Sequence, residues 1–190
     1  MTALRQLGPA LRMWAILTVL LGLAYPLALV GVGRLMPGRA DGSLVAVDGA
    51  VVGSALVAQP FDQPGYFWPR DSVGGYDMLA TGGSNLGPNN PDLVQAIAER
   101  RATLAEANGV SVEELPADAV TASGSGLDPH VSPEYAQLQA SRVAAARALP
   151  VSHVLALVDE HVRGRALGFL GEPTVNVLEL NLALDRLARG

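Results

Sequence analysis

The sequence has 190 residues, 49% hydrophobic and 16% charged, with a formal net charge of −5 and no cysteine, which excludes disulfides and thiolate metal sites. It also has no lysine, which excludes a Walker A loop and a protein-kinase site, because both need a lysine on the nucleotide phosphates. Beyond Pro37, ten arginines stand against all eighteen acidic residues, and the resulting charge of −8 excludes nucleic acid as a partner.

The first predicted element is a transmembrane helix within the uncharged segment Met13–Gly33. As a helix this segment would be about 31 Å long, close to the roughly 30 Å thickness of the bilayer's hydrocarbon core. A cleavable signal peptide is the alternative, because Arg5 and Arg12 precede the apolar run. Signal peptides have shorter apolar regions of about 7–15 residues, and no clean Ala-x-Ala site follows here. We therefore expect a retained anchor over residues 13–36, after a short tail of residues 1–12.

Charge alone does not orient this anchor. Arg5 and Arg12 precede it and Arg34 and Arg39 follow it, so the positive-inside rule gives nearly a tie.

The next predicted element is a β-hairpin in "SLVAVDGAVVGSALVAQ", residues 43–59. Two apolar runs flank Asp48-Gly49, the dipeptide that favours a type I′ turn. From Pro60 to Pro91 the sequence is rich in glycine, proline and asparagine, with aromatic residues interleaved. The apolar residues there follow neither a helical nor a strand periodicity, so we expect a long loop with a functional or interface role.

Helices are predicted for the remainder. Asn90 caps the first, which has Pro91 at its first position and ends at Asn108-Gly109. The second starts at Ser132-Pro133 and runs to Pro150. The third begins near Ser152 and stops around Gly164.

The last segment, after Pro173, is ambiguous. Alternating leucines from Leu178 to Leu184 are typical of a strand, whereas Val177, Leu180, Leu184 and Leu187 fit a helix. Asn176 and Glu179 resemble a capping pair, which favours the helix. The predicted fold class is therefore α+β: a single N-terminal transmembrane helix, followed by one mixed α/β extramembrane domain over residues 37–190.

The segment "TASGSGLDPHVSP", residues 121–133, concentrates the residues used in catalysis. Ser125, Asp128 and His130 are the three residue types that form the catalytic triad of serine hydrolases. One hypothesis is therefore a membrane-tethered serine hydrolase that uses Ser125 and His130. Triad members normally come from separate elements, because the base must lie on the nucleophile while a third group orients it. A direct nucleotide or anion site at residues 121–130 is a second hypothesis.

A turn is the interpretation that we favour for this segment. Gly124 and Gly126 permit positive φ, and the Ser123 and Asp128 side chains can bond local amides before the Ser132 helix begins. Elsewhere, "TGGSNLGPNNP" (residues 81–91) is similarly turn-like, and its functional alternative is a surface that grips another protein. His153 and His161 are too far apart for one metal ion, so we expect no metal site.

Four blocks, in order along the chain, resemble the C subunit of the Kdp-type potassium-transporting P-type ATPase. They are "GSNLGP" (83–88), "TASGSGLDPH" (121–130) with the following Ser132-Pro133, "RVAAAR" (142–147) and "LGFLGEPTVNVLELNLALD" (167–185). The single N-terminal anchor fits as well. The chain departs from the family at "YFWPRDSVGGYD" (66–77), where a Gly-Arg-Pro-Ser type of sequence usually precedes the tyrosine.

The resemblance implies an accessory, non-catalytic and chaperone-like subunit of a complex that hydrolyses ATP to import potassium. It implies two partner subunits besides the lipid bilayer. One is the catalytic ATPase subunit, which carries the phosphorylated aspartate and would bind the ATP; the other resembles a potassium channel. The aspartyl-phosphate motif Asp-Lys-Thr-Gly-Thr is absent from this chain, so we expect no catalytic residue here.

The resemblance also implies a topology and a set of candidate residues. The N-terminus would be cytoplasmic and the main domain extracytoplasmic, at the cell membrane. The residues that would contact a partner or mark the family are Ser84, Asn85, Ser123, Ser125, Asp128, His130, Glu172, Asn176 and Asn181.

Overall fold

A computed structural model describes residues 2–187 of the chain, with side chains from residue 4 onward. The chain divides into two compact units, one up to Leu44 and one from Val45 onward. We describe each unit by itself.

The N-terminal unit is one continuous helix with a wide turn in its middle. Helix α1 spans Thr2–Val19, a π-helical turn spans Leu20–Ala24, and helix α2 spans Tyr25–Arg34. Pro26 explains the π turn, because its ring has no N–H to donate and would clash with the carbonyl of residue 22 in a regular helix. The widened turn lets the helix continue past the proline.

This helix is long and apolar enough to cross a membrane, as the sequence predicts. The span Leu4–Arg34 has 31 residues and a mean hydropathy of 2.3, and the rest of the described chain buries none of its most apolar part. At 1.5 Å per residue it is about 46 Å long, more than the roughly 30 Å that spanning requires. A single helical turn, α3 (Pro37–Ala40), follows it.

The second unit begins with the predicted hairpin. Strands β1 (Leu44–Val47) and β2 (Ala50–Ser54) pair with each other. Asp48 and Gly49 have φ angles of 51° and 82°, and positive φ at both central residues is the mark of a type I′ turn.

The predicted helices are confirmed, with caps as expected. Asn90 Oδ1 accepts a hydrogen bond from Asp92 N at the start of α4, and Ser132 Oγ accepts one from Tyr135 N at the start of α6. The helices are α4 (Pro91–Asn108), α5 (Ala117–Val120), α6 (Pro133–Arg147), α7 (Val151–Glu160) and α8 (Val177–Leu187), with a 3-10 turn at Val112–Glu114.

A small antiparallel sheet, with strand order β3-β5-β4, packs with the helices. Strand β3 is His130–Val131, β4 is Val162–Arg163 and β5 is Thr174–Asn176. The third predicted helix therefore ends earlier than Gly164, because the chain turns into β4 after Glu160. Asn176 Oδ1 accepts from Glu179 N at 3.1 Å, so the final helix and its cap at Asn176 are confirmed. The Glu179 carboxylate pairs with Arg163, so the second half of the predicted capping pair does not form.

The core lies between these helices and the sheet. Its fully buried members include Tyr135, Val143, Val158, Leu180 and Leu184. Helices α6, α7 and α8 supply most of the apolar side chains, and Phe67 of the long loop enters the same cluster.

Two buried amide side chains fix that loop to the core. Residues 55–90 contain no helix or strand within the described chain, so their buried backbone groups need other partners. Asn181 Oδ1 accepts from Phe67 N at 2.8 Å, and its Nδ2 donates to Phe67 O at 2.9 Å. Gln139 Oε1 accepts from Trp68 N at 2.7 Å, and its Nε2 donates to Trp68 O at 3.2 Å. We call these four hydrogen bonds the amide clasp.

We expect the second unit to lose much of its stability when the amide clasp is removed. The substitution Gln139→Ala should lower the free energy of unfolding by about 2 kcal/mol, because it leaves the N–H and C=O of the partly buried Trp68 without their partners. Urea or thermal unfolding of the purified full chain measures the loss. Gln95→Ala, at an exposed position of α4, is the matched control and should change stability by less than about 0.5 kcal/mol. Equal effects for the two variants would contradict the role of the clasp.

Candidate functional site

The first two family-like blocks form one packed unit. Gly82 N donates to Ser125 O at 2.9 Å, which joins the 81–88 loop to the 121–130 loop. A Cβ at Gly83 would lie 3.1 Å from Gly124 O, and a Cβ at Gly126 would lie 3.0 Å from Gly82 O. The glycines are therefore required by the close approach of two backbones.

Ser123 organises the turn within this unit. Its side chain is buried, and Oγ accepts hydrogen bonds from Gly126 N at 3.1 Å and Asp128 N at 3.3 Å. Its backbone N donates to Asp71 O at 2.9 Å, which ties the turn to the long loop. The turn interpretation of this segment is confirmed for Ser123.

The three triad-like residues do not form a catalytic relay among the described residues. Ser125 Oγ lies 3.2 Å from Ser123 Oγ and accepts from Leu127 N at 3.1 Å, so its hydrogen bonds stay within its own turn. Asp128 and His130 do meet: His130 Nδ1 lies 3.4 Å from Asp128 Oδ1, which also accepts from His130 N at 3.0 Å. The structure thus pairs the acid and the histidine but not the serine with the histidine.

Asp128 is an anchor between His130 and the Arg70 guanidinium. Its Oδ2 accepts from Arg70 Nη1 at 3.3 Å. Burial disfavours the charged carboxylate, but the hydrogen bonds from His130 and the charges of His130 and Arg70 outweigh it and lower the pKa of Asp128. Arg70 also donates to the carbonyl oxygens of Thr121 and Ala122, so this ion pair closes the loop on the sheet side.

Asp128, His130 and Glu172 line one cleft of about 480 Å³, together with Asp118 and Ser132. Glu172 is exposed, and its Oε2 accepts from Arg165 Nη2 at 2.6 Å. Three of the nine candidate residues therefore share a surface depression.

Ser84 and Asn85 lie on a second cleft, of about 350 Å³, beside Ser123 and Gly124. Both are exposed, and Asn85 has a φ of 54°, the left-handed geometry that asparagine tolerates well. Ser84 Oγ accepts from Leu86 N at 3.4 Å.

Asn176 and Asn181 lie inside the domain. Asn176 caps α8 with its Oδ1 and donates from Nδ2 to Ala55 O at 2.8 Å, which holds the chain just after the hairpin. Asn181 forms half of the amide clasp. Their side chains serve the fold, as that of Ser123 does.

Two arginines of the "RVAAAR" block were missed as individual candidates. Arg142 stacks on the Trp68 ring at 4.0 Å and donates to Pro64 O at 2.6 Å and Tyr66 O at 3.0 Å. Burial lowers the pKa of Arg142 to about 10, so it remains a cation at neutral pH. The signal was two arginines five positions apart in an alanine-rich helix.

Arg147 repeats this pattern one turn further along α6. It donates to Gly65 O at 2.6 Å, pairs with Asp185 at 2.7 Å and lies over the Tyr66 ring at 4.5 Å. Residues 66–77, where the sequence departs from the family pattern, are also held by arginines. Trp68 lies beneath Arg142, and Asp71 pairs with Arg100 at 2.5 Å.

This geometry favours recognition over chemistry. Where side chains are described, no three His, Asp or Glu residues group closely enough to hold a metal ion. The polar residues of the motif blocks use their hydrogen bonds to hold backbone, which fixes the shape of the loops. The surface that the loops present to solvent includes the two clefts described above.

Comparison with known proteins covers nearly the whole chain. The KdpC family, described as the c chain of the K+-transporting ATPase, matches residues 7–186. A protein of Kineococcus radiotolerans named potassium-transporting ATPase KdpC subunit is 60% identical over 97% of this chain and 95% of its own length. Proteins with the same name are 50% identical in Beijerinckia indica (96% and 94% of the two chains) and 52% identical in Mycobacterium tuberculosis (96% and 99%).

The lowered pKa of Asp128 predicts a stability that depends on pH. A carboxyl whose pKa is lower in the folded state stabilises the fold above its unfolded pKa, near 3.8, and loses this contribution as pH falls through the folded value. We expect Asp128→Asn to be less stable than the wild type by about 1 to 2 kcal/mol at pH 7.

The difference in stability between the wild type and Asp128→Asn should shrink as the pH falls below 3.8. Thermal unfolding of both proteins between pH 7 and pH 3 measures it. Glu160→Gln, at an exposed position at the end of α7, is the control and should show no such convergence. A constant difference across the range would contradict the assigned ion pair.

Proposed function

The chain belongs to the KdpC family, the c chain of the K+-transporting ATPase, and on this premise we propose that it is a non-catalytic accessory subunit of the potassium uptake complex. In this role it stabilises the assembled complex and promotes ATP binding and hydrolysis by the catalytic subunit. ATP is bound by that subunit and not by this chain.

The main observation behind the proposal is that polar side chains of the motif blocks form their hydrogen bonds within the domain. Ser123 and Asn181 are of types found in active sites, yet their side chains are buried and hydrogen-bonded to backbone. A surface whose polar groups are committed to its own loops is suited to fitting another protein. The long apolar helix supports the same role, because the side chains of its most apolar part stay unburied within the described chain.

We propose that the candidate residues divide into two groups. Ser84, Asn85, Ser125, His130 and Glu172 are exposed or partly exposed and would meet partner subunits. The buried group would shape the loops that present them; it consists of Ser123, Asn176 and Asn181, with Asp128 at its edge.

The proposed topology has a cytoplasmic tail at residues 1–12, the anchor at residues 13–36 and an extracytoplasmic domain at residues 37–190. The partners would be the channel-like subunit, which the domain would cover, and the catalytic subunit. With this topology the domain cannot touch cytoplasmic ATP. Its influence on nucleotide binding would be a coupling free energy transmitted through the membrane subunits.

Removal of the domain tests the function. A chain ending at Pro37 keeps the anchor. The complex assembled with it should lose potassium-stimulated ATP hydrolysis by about 5- to 150-fold, as expected for a coupling of 1–3 kcal/mol. The measurement is phosphate release with and without potassium, and co-purification verifies that the shortened chain is present. Full activity of that complex would refute the proposal.

The absence of cysteine makes the topology directly testable. A single cysteine introduced at exposed Ser152, on α7, should react with a membrane-impermeant maleimide added to the outside of intact cells. A cysteine at Thr2 is the control and should react only after the membrane is opened. The reverse pattern would place the domain in the cytoplasm.

A further inference from the structure

The loop between β4 and β5 exposes three large apolar side chains. Leu167, Phe169 and Leu170 are 83%, 68% and 51% exposed. We call residues 165–172 the apolar tongue. Single exposed hydrophobic residues are common, but three within four positions form a patch of the kind that marks an interaction site.

The tongue is an ordered structure. Ala166 and Leu170 exchange two backbone hydrogen bonds of 2.9 Å each, so the loop between them is closed. At its base the Arg165 guanidinium pairs with Glu172 at 2.6 Å. The apolar side chains are therefore held on a short hairpin, which reduces the entropy lost when they bind.

The turn carries a leucine where a smaller residue is expected. Leu167 and Gly168 have φ angles of 53° and 81°, the geometry that glycine and asparagine prefer. A leucine there is unfavourable for the backbone. This position therefore displays an apolar side chain at the expense of local stability, the pattern expected of a functional contact.

We propose that the apolar tongue docks Leu167 and Phe169 into an apolar recess on another protein subunit of the potassium uptake complex. The inference rests on the proposed function, because it needs a complex in which this chain is an accessory subunit.

Charge favours a protein recess over a lipid surface. Segments that dip into membranes usually carry free cations for anionic headgroups, with tryptophan or tyrosine at the interface. Here Arg163 pairs with Glu179 at 2.5 Å and Arg165 pairs with Glu172, so both arginines near the tongue are neutralised. Phe169 is the only aromatic residue between Val162 and Leu187.

Area favours a complex over a second copy of this chain. These three partly exposed side chains would bury roughly 300–400 Å², less than or about half of the ~800 Å² per partner in a stable interface. A dimer built on the tongue alone would be weak. In a complex that shares the membrane, the anchor would raise the effective concentration of the tongue at its partner.

The first test removes the apolar side chains without disturbing the turn. The double variant Leu167→Asn, Phe169→Ser puts Asn-Gly at the two left-handed positions, which suits them better than Leu-Gly. The thermal midpoint of the purified full chain should be unchanged or higher. Its affinity for the remaining subunits should fall by at least about tenfold.

The control is Val94→Ser, which removes an exposed apolar side chain from α4 and should leave assembly unchanged. Wild-type assembly by the double variant would overturn the docking of the tongue. An equal loss with Val94→Ser would overturn its specificity.

A second test identifies the occupant and does not depend on the double variant folding. Phe169 is replaced by a photoreactive benzoyl-phenylalanine, which keeps an aromatic side chain, and the assembled complex is irradiated in its membrane. We expect an adduct with another protein subunit. An adduct with lipid or with a second copy of this chain, or no adduct, would overturn the proposal.

The outcomes of these experiments distinguish failure of the tongue proposal from failure of the proposed function. If the double variant assembles normally while the chain ending at Pro37 abolishes ATP hydrolysis, the tongue proposal fails and the accessory role stands. If the Pro37 chain supports full activity while Phe169 crosslinks to a subunit, docking stands and the accessory role fails.

Discussion

The backbone of Phe67 and Trp68 must find hydrogen-bond partners inside the domain, and the second unit depends on how this need is met. Within the described chain this stretch is not paired with a strand, and α6 and α8 each contribute one amide, from Gln139 and Asn181. An amide side chain carries both a donor and an acceptor, so one side chain can bond the N–H and the C=O of a single residue. The two side chains together replace a missing neighbouring strand. They join the long loop to the two helices that hold most of the core.

From this clasp a series of contacts leads outward to the surface loops. Arg142 stacks on Trp68 and donates to Gln139 Oε1, so the clasp and the aromatic loop support each other. Two residues further on, Arg70 pairs with Asp128, and Asp71 O accepts from Ser123 N. The 121–130 turn is thus positioned by a loop that is itself positioned by the core. Each exposed motif rests on buried polar contacts, which are costly to break singly.

Local signals made part of this fold predictable from the sequence, and distance in the chain hid the rest. Caps such as Asn90 and Ser132 bond amides two or three residues away, so they can be recognised in a short stretch of sequence. The dipeptide Asp48-Gly49 is by itself enough to predict its hairpin. The β3-β5-β4 sheet has strands of two or three residues, and its pairs, such as Val131 with Val175, are far apart in the chain. No period can develop in so short a strand. Gln139 gave no signal either, because an amide on a helix looks the same in sequence whether it faces water or a buried backbone.

The same reasoning separates the residues that identify the family from those that carry recognition. A search for chemistry selects serine, aspartate, histidine and asparagine, and in this chain several of these are used to hold loops, as Ser123 and Asn176 show. A side chain whose hydrogen bonds are already made gains little from a partner, since binding would only exchange one set for another. Apolar side chains left in water do gain, because burial removes them from it. In the block "LGFLGEP", residues 167–173, the leucines and Phe169 would therefore contribute most of the binding free energy. Glu172 would meet the partner as well, but it already closes the base of the loop with Arg165.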